Sequence, residues 1–161
     1  MTLSPKASRP NMPGYGLKPA DEGTGLKPWS YAEARLQRAR GYWISTTSDN
    51  GAPHCMPVWG LWSRDHFVFS TAATSRKARN LAARPRVVVS AEPTDDAIVL
   101  EGTASLVDDA TWRSEIVAVY EAKYSMGIPE GEPVYAVRPT RAFSFSTASG
   151  EFEGGSTRWT F

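Results

Sequence analysis

The sequence is poor in the side chains that build disulfides and metal sites. Its 161 residues contain one cysteine and two histidines. A single cysteine excludes an internal disulfide framework, so we expect a reducing compartment. A cysteine-rich zinc site is excluded for the same reason, and a site built from histidines is disfavoured. We therefore predict no metal site.

The sequence also lacks a surplus of charge and any long apolar run. Lys and Arg number 18 against 17 Asp and Glu, which leaves a formal net charge of +1. A general nucleic-acid binder needs a basic surplus for phosphate contacts. The first ten residues, MTLSPKASRP, lack the apolar core of a signal peptide, and no stretch approaches the roughly 18 apolar residues that span a bilayer. We expect a soluble, cytoplasmic protein with no nucleic-acid or membrane partner.

What is present suffices for one folded domain. The chain is 41% hydrophobic and 11% aromatic, and a chain of this length can bury about two-thirds of its unfolded surface. Prolines and glycines are concentrated in residues 1–28, which predicts an extended N-terminal arm followed by a folded domain over residues 29–161. The sequence leaves open whether this arm is disordered or wraps onto the domain.

Three short helices are predicted. Ser30 and Glu33 form a potential capping box for a helix over residues 31–40. Ser75 is a potential N-cap for a helix to Ala83, and Asp108 or Asp109 for a helix to Lys123. Apolar spacing in the third helix predicts that one face carries a set of five residues: Trp112, Ile116, Val119, Tyr120 and Lys123.

Aromatic and β-branched runs predict strands between these helices. The Asn50-Gly51 pair is a hairpin turn signal, and Pro57 indicates an edge strand or one that faces a ligand. Residues 151–155 are predicted to be loop. The predicted strands cover residues 42–47, 52–62, 66–71, 86–90, 98–106, a strand pair within 134–146 bent near Pro139, and 157–161. The fold class is therefore mainly β with short helices (α+β), with six or seven antiparallel strands in a closed or half-open barrel.

A cluster of basic residues opens the second predicted helix. No acidic residue lies between Asp65 and Glu92, whereas that interval contains a set of five basic residues: Arg76, Lys77, Arg79, Arg84 and Arg86. Free backbone N–H groups and the positive end of the helix dipole lie at the same place. This combination predicts a site for phosphate or carboxylate groups. The alternative is a solvated basic face on a short helix.

The strand around Pro57 is the second candidate for chemistry. Exposed backbone groups and flat apolar side chains over residues 54–60 suit a planar heterocycle, although a core strand with an edge proline has the same pattern. His54 and Cys55 are adjacent in a strand and point to opposite faces, which disfavours a catalytic dyad. Glu101 is compatible with a general acid or a solvent-facing residue. For Trp159 and Phe161, packing is favoured over covering a pocket. The catalytic residues remain unassigned.

Several motifs together resemble a known family. They are the runs 41–44, 50–54, 56–60, 69–71, 75–81 and 85–87, joined by residues 101–104 and 157–159. They resemble the pyridoxamine 5′-phosphate oxidase-like split-barrel proteins, and among these the B branch of the flavin/deazaflavin oxidoreductases. The resemblance covers the chain from about Pro28 to its end. It implies an FMN-binding type of split barrel and a homodimer with the cofactor at the subunit interface.

The same resemblance implies cofactor-binding residues. It implies that the cofactor's phosphate is held by Ser75, Arg76, Lys77 and Asn80. It implies that the ring lies against a strand that includes His54, Met56, Pro57, Val58 and Trp59. Ser70 and Thr71 are then expected near the ribityl chain, and Arg158 and Trp159 are expected to close the partner subunit's site.

Charge favours one cofactor of this family. FMN ends in one phosphate, whereas the deazaflavin coenzyme F420 carries a phosphodiester followed by several carboxylates. Several bases near Arg76 suit the polyanionic tail better, so F420 is favoured and FMN is the alternative. The sequence contains no G-x-G-x-x-G, phosphate-loop or G-x-S-x-G motif. A cofactor that supplies the hydride explains this absence. We expect an F420-dependent oxidoreductase that acts on an unsaturated small molecule. A non-catalytic F420 carrier and an FMN- or haem-handling protein remain alternatives.

Overall fold

The computed structural model describes residues 4–148 and 150–161, which fold mainly into antiparallel strands. The strands are β1 (Lys6–Ser8), β2 (Tyr42–Thr47), β3 (Pro53–Val58), β4 (Gly60–Ser63), β5 (His66–Ser70), β6 (Arg86–Ala91), β7 (Asp96–Leu106), β8 (Val134–Ser146) and β9 (Thr157–Thr160). The helices are α1 (Trp29–Arg38), α2 (Arg76–Ala83), α3 (Ala110–Tyr124) and α4 (Glu151–Gly155). The predicted fold class, mainly β with short helices, is confirmed.

All strand pairings are antiparallel, and the sheet branches at β8. The main order is β1-β9-β8-β7-β6-β2-β3, while β5 pairs with both β4 and β8. The start of β8 pairs with β5 and its later part with β9. Within the described residues no pairing joins β3 to β4, so the sheet stays open. Of the two predicted arrangements, the half-open one is found. Pro57 lies in β3 at one end of the main order, as its missing N–H predicts.

Three predictions about strands were wrong in detail. The strand predicted over residues 52–62 is two strands, β3 and β4, separated at Trp59. The pair predicted within residues 134–146 is the single strand β8, and the pairing with β7 shifts register at Glu101 and Gly102. The described residues therefore form nine strands rather than six or seven, the ninth being β1 in the arm.

The helices also differ from prediction at their ends. No side-chain hydrogen bond caps α1, whose N-cap is Pro28, so the Ser30–Glu33 capping box does not form. Ser75 and Asp109 do cap α2 and α3, as predicted. In α3 the buried residues are Ile116, Tyr120 and Tyr124, while Val119 is 54% exposed. Residues 151–155, predicted as loop, form the short helix α4.

Two aromatic-rich clusters make up the core. The larger lies under α1 and contains Trp29, Tyr42, Phe67 and Trp159. Trp29 meets Trp159 edge to face at 5.5 Å between ring centroids, a favourable geometry for aromatic pairs. The smaller cluster joins α3 to β4, β5 and β8. The second cluster fixes α3 beside the β3–β4 corner.

The N-terminal arm packs onto the end of the chain. β1 pairs with β9, with Ala7 opposite Trp159. The Arg9 guanidinium donates to the carbonyls of Gly154 at 3.0 Å and Ser156 at 2.8 Å. Lys27 forms a 2.7 Å ion pair with Glu151. Of the two outcomes left open for the arm, the structure therefore shows packing. None of the helices in the described part of the chain is long and apolar enough to cross a membrane.

Candidate cofactor-binding site

The start of α2 is held by hydroxyl groups. The Ser75 hydroxyl accepts a hydrogen bond from the Ala78 N–H at 3.1 Å and another from the Thr71 hydroxyl at 3.1 Å. An N-cap hydroxyl of this kind satisfies one of the free N–H groups of the first turn. Ser75 and Thr71, both predicted site residues, therefore lie together and fix the helix terminus.

Two of the basic residues at this terminus have no acidic partner. Within residues 4–148 and 150–161, Arg76 and Lys77 form neither an ion pair nor a side-chain hydrogen bond. Arg79 donates to the carbonyl of Thr74. Cations next to the positive end of a helix dipole are unfavourable without an anion. Arg76 and Lys77 are therefore suited to bind an anion.

Arg84 and Arg86 leave this cluster. The Arg84 guanidinium donates to the Asp49 carbonyl at 2.8 Å. Arg86 lines a groove on the outer face of the sheet together with Val88 and Glu101. The basic cluster identified in the sequence thus contains three residues in space, Arg76, Lys77 and Arg79.

A cavity of about 420 Å³ brings six predicted site residues together. Its wall is partly apolar and aromatic, and it contains one lysine and one carboxylate. Its lining residues are Gly41, Pro57, Val58, Trp59, Ser70, Thr71, Lys77, Glu92 and Tyr120. Gly41, Glu92 and Tyr120 were not predicted to belong to the site. Gly41 belongs to the run 41–44 that carries the family resemblance but was assigned no role there, and no sequence signal identified Glu92 or Tyr120. The three come from separate places in the chain: just before β2, just after β6, and α3. We call this space the ring cavity.

A second cavity of about 460 Å³ lies on the other side of the α2 terminus. It is lined by Ser48, Asp49, Asn50, Arg76, Arg79 and Asn80. Because Arg76 and Lys77 are neighbours in sequence and line different cavities, the first turn of α2 lies between the two. We call this second space the tail cavity.

Asn80 has a structural contact as well as a place in the tail cavity. Its side chain is 95% buried, with 5% exposure, and its amide nitrogen donates to the Thr46 hydroxyl at 2.9 Å. This bond attaches α2 to β2. The Asn80 side chain, for which the family resemblance implies a phosphate contact, is thus held in place by a bond to β2.

His54 lies close to the basic cluster. Burial, together with the charges of Arg76 and Lys77, lowers the pKa of the His54 imidazole below its usual 6.5. Its Nδ1 atom is shielded from solvent and has no hydrogen-bond partner in the described structure. His54 and Met56 alternate with Cys55 and Pro57 along β3, so His54 and Cys55 lie on opposite faces as predicted. Met56, 43% exposed, lines neither cavity.

The aromatic wall of the ring cavity is fixed by α3. Trp59 stacks on Tyr124 with ring centroids 4.8 Å apart and an interplanar angle of 3°. The Tyr124 hydroxyl accepts from the Gly60 N–H at 3.0 Å and lies 2.8 Å from the Gly60 carbonyl, to which it can donate. Lys123 donates to the same carbonyl at 3.0 Å. The corner that carries Trp59 is therefore anchored at its backbone.

Burial shifts the pKa values of two residues of α3 at or near this wall. Burial, and then the nearby Arg40 charge, lowers the pKa of Lys123 to about 8. Burial, and then Tyr124, raises the pKa of Tyr120 to about 12. At neutral pH Tyr120 is therefore a neutral hydroxyl in the ring cavity.

Arg158 and Trp159 lie outside both cavities of their own chain. Trp159 is fully buried in the core of its own chain, so its side chain has no surface with which to close a partner's site. For Trp159 that expectation was wrong, because the indole fills the space beside Trp29. Arg158 donates from Nε to the Ser8 hydroxyl at 3.1 Å, and it lines neither cavity.

Comparison with known proteins points to one family. The family model described as pyridoxamine 5′-phosphate oxidase matches residues 31–149. A search among curated proteins found no match.

Solved structures share the fold at low sequence identity. An F420 reductase is 22% identical, with a TM-score of 0.57 over 68% of this chain and 94% of its own. A conserved hypothetical protein from Mycobacterium tuberculosis is 18% identical, with a TM-score of 0.66 over 74% and 85%. The heme storage protein HutZ from Vibrio cholerae is 15% identical, with a TM-score of 0.57 over 68% and 88%.

Proposed function

We propose that this chain, which belongs to the pyridoxamine 5′-phosphate oxidase family, is an oxidoreductase that uses the deazaflavin coenzyme F420 to reduce an unsaturated small molecule. The family includes oxidoreductases, and one protein with this fold is an F420 reductase. Likeness at 22% identity supports the fold alone, so the argument for the cofactor comes from the site.

The observation that carries the proposal is the pair of unpaired cations between two cavities. Lys77 lines the ring cavity and Arg76 the tail cavity. FMN has one terminal phosphate and needs only one such subsite. F420 continues beyond its phosphodiester into several carboxylates, and Arg79 in the tail cavity suits that continuation. The number and placement of the cations therefore favour F420.

The roles of the chain's own residues are binding and orientation. When bound, the coenzyme supplies the hydride, and the protein supplies an oriented and partly apolar cavity. Pro57 and Trp59 offer flat surfaces for a ring, and the Ser75 and Thr71 hydroxyls lie at the helix terminus beside Lys77. The hydroxyl of Tyr120 is a hydrogen-bond donor in the same cavity. No residue is assigned as the proton donor.

We further propose that the protein works as a homodimer that meets through the outer face of β2, β3 and β6. Trp43 and Val88 on this face are 41% and 37% exposed. Ser45 lies opposite both Cys55 and Val88, so these side chains share that face. A groove of about 520 Å³ crosses it. Exposed apolar residues grouped on one sheet face are typical of an interaction surface.

Fluorescence titration with F420 and with FMN tests the cofactor. We expect F420 to bind in the low micromolar range and FMN more weakly. Lys77→Ala should weaken F420 binding about tenfold, because a charge-assisted contact to an anion is lost. Lys18→Ala is the matched control, since Lys18 is an exposed lysine of the arm that lines neither cavity. Tight FMN binding with no F420 binding at tens of micromolar would overturn the proposal.

Turnover distinguishes an enzyme from a carrier. An enone or quinone should oxidise the reduced F420 bound to the protein. The oxidation is measured as the return of the deazaflavin absorbance. Tight binding without turnover on such a panel would replace the oxidoreductase with a carrier of the same cofactor.

A further inference from the structure

We propose that Glu92 is a specificity-determining residue of the ring cavity, which selects a flat substrate that carries a positive charge or an N–H donor. The inference rests on the proposed function, since it names the class of small molecule that shares this cavity with the cofactor. It concerns a residue that the sequence did not single out.

The Glu92 carboxylate is held in place from two sides. Its Oε1 atom accepts a hydrogen bond from the Trp43 indole N–H at 2.9 Å. Its Oε2 atom lies 2.9 Å from the position that a side-chain carbon on residue 41 would take, so the carboxylate packs closely against the Gly41 backbone. The Glu92 N–H donates to the Gly41 carbonyl at 3.3 Å. The carboxylate is thus oriented at the cavity wall.

The Glu92 carboxylate belongs to none of the ion pairs found among the described residues. Two arginines line another cavity together with it; Arg35 is paired with Asp96, and Arg38 forms no ion pair with Glu92. Lys77, the other charged residue of the ring cavity, forms no ion pair with it. The cavity therefore has separate positive and negative groups, and the remaining lining residues are apolar, aromatic or hydroxyl-bearing.

This separation assigns different partners to the two charges. The anionic part of a cofactor is attracted to Lys77 and Arg76 and repelled by Glu92. A second molecule that lies against Trp59 and beside Glu92 binds more tightly if it carries a positive charge or an N–H group. An anionic molecule in the same place binds more weakly by a similar factor. The expected substrates are therefore cationic or N–H-bearing unsaturated rings rather than carboxylated ones.

The first test uses a pair of probes that share one ring system and differ by an N-methyl group and its positive charge. Quinoline and N-methylquinolinium are titrated at neutral pH against the full chain, and the indole signals of Trp43 and Trp59 are followed by NMR. We expect the cation to bind about fivefold more tightly, the effect of one nearby opposite charge in water-like surroundings. Glu92→Gln should abolish this preference while the indole N–H keeps an oxygen acceptor.

Glu33→Gln is the control for the test. Glu33 also accepts from an indole N–H, that of Trp62 at 3.3 Å, but it does not line the ring cavity. The Glu33→Gln variant should prefer the cation as strongly as the wild type does. The proposal fails if the wild type binds both probes equally or binds neither, if Glu92→Gln keeps the preference, or if Glu33→Gln loses it.

The second test separates this inference from the proposed function. F420 should bind Glu92→Gln at least as tightly as the wild type, because the substitution removes a carboxylate that repels the anionic cofactor, whereas kcat/KM for a cationic enone relative to a neutral one should fall about fivefold in the variant. Charge selection by the probes without F420 binding would leave the Glu92 inference standing and reject the cofactor. F420-dependent turnover that does not depend on substrate charge would support the cofactor and reject the Glu92 inference.

Discussion

Lys123 shows how burial changes one residue in this protein. Its ammonium group lies between the rings of Tyr42 and Tyr124, each 5.3 Å away, and donates to the Tyr42 hydroxyl at 3.2 Å. Desolvation disfavours its charged form, and the nearby Arg40 adds repulsion. The lysine therefore anchors the Gly60 corner through a hydrogen bond, although its half-buried position disfavours the charged ammonium form.

The lowered pKa of Lys123 predicts a specific dependence of stability on pH. In the unfolded chain this lysine has a pKa near 10.5, against about 8 in the folded protein. Between these values the unfolded state binds more protons, so the contribution of Lys123 to the free energy of unfolding rises with pH. Urea unfolding at pH 7 and pH 9.5 should show the wild type gaining stability relative to Lys123→Met. Since both proteins contain the same tyrosines, a constant difference would refute this.

His54 is predicted to report binding of an anion. Its pKa is lowered by burial and by Arg76 and Lys77, and an anion placed on those cations removes much of the repulsion. We expect the pKa of His54 to rise when F420 binds, as measured by an NMR titration of the imidazole protons. His66 is the internal control, because it contacts the Arg64 carbonyl and lines neither cavity. Equal shifts for both histidines, or none, would speak against an anion at α2.

At the scale of elements, α2 and α3 present two similar N-caps with different surroundings. Ser75 accepts from the Ala78 N–H, and Asp109 accepts from the Trp112 N–H at 2.6 Å. The α2 terminus lies between the two cavities, whereas Asp109 lines neither. An effect of Ser75 on cofactor binding should therefore be distinguishable from its effect on helix stability as an N-cap.

Paired cap substitutions make that separation measurable. Ser75→Ala and Asp109→Ala should each lower the free energy of unfolding by about 1 kcal/mol, the usual loss for an N-cap. Only Ser75→Ala should weaken F420 binding, because it also removes a hydroxyl at the anion site. Denaturant unfolding and fluorescence titration of both variants provide the comparison. Equal weakening of binding by the two substitutions would assign the effect to general destabilisation.

At the scale of the whole molecule, the open sheet leaves one face without cover. The arm covers β9, α1 packs over the larger core cluster, and α3 packs on the opposite face of β4, β5 and β8. The outer face of β2 and β6 keeps Trp43 and Val88 exposed. This uneven cover is the basis for the proposed dimer.

Sedimentation of charged variants tests the dimer. We expect the wild type to be a dimer at micromolar concentration and Val88→Glu to be largely monomeric, because a carboxylate buried in an apolar contact is strongly unfavourable. Val119→Glu introduces the same charge at an exposed valine of α3 and should leave the dimer intact. A monomeric wild type, or equal dissociation of both variants, would contradict the proposal.

The sequence by itself determined the strand-rich class, the edge position of Pro57, the Ser75 cap and the grouping of bases at the start of α2. These features are local, since turn chemistry, β-branched runs and capping hydroxyls act over a few neighbouring residues. Tertiary structure decided which bases stay together, because only packing turns Arg84 toward Asp49 and Arg86 to the outer face. It also buried Trp159, paired the arm with β9, and brought Glu92 and Tyr120 into the ring cavity. Contacts between residues distant in sequence leave no periodic pattern, so they became visible only when the chain was folded.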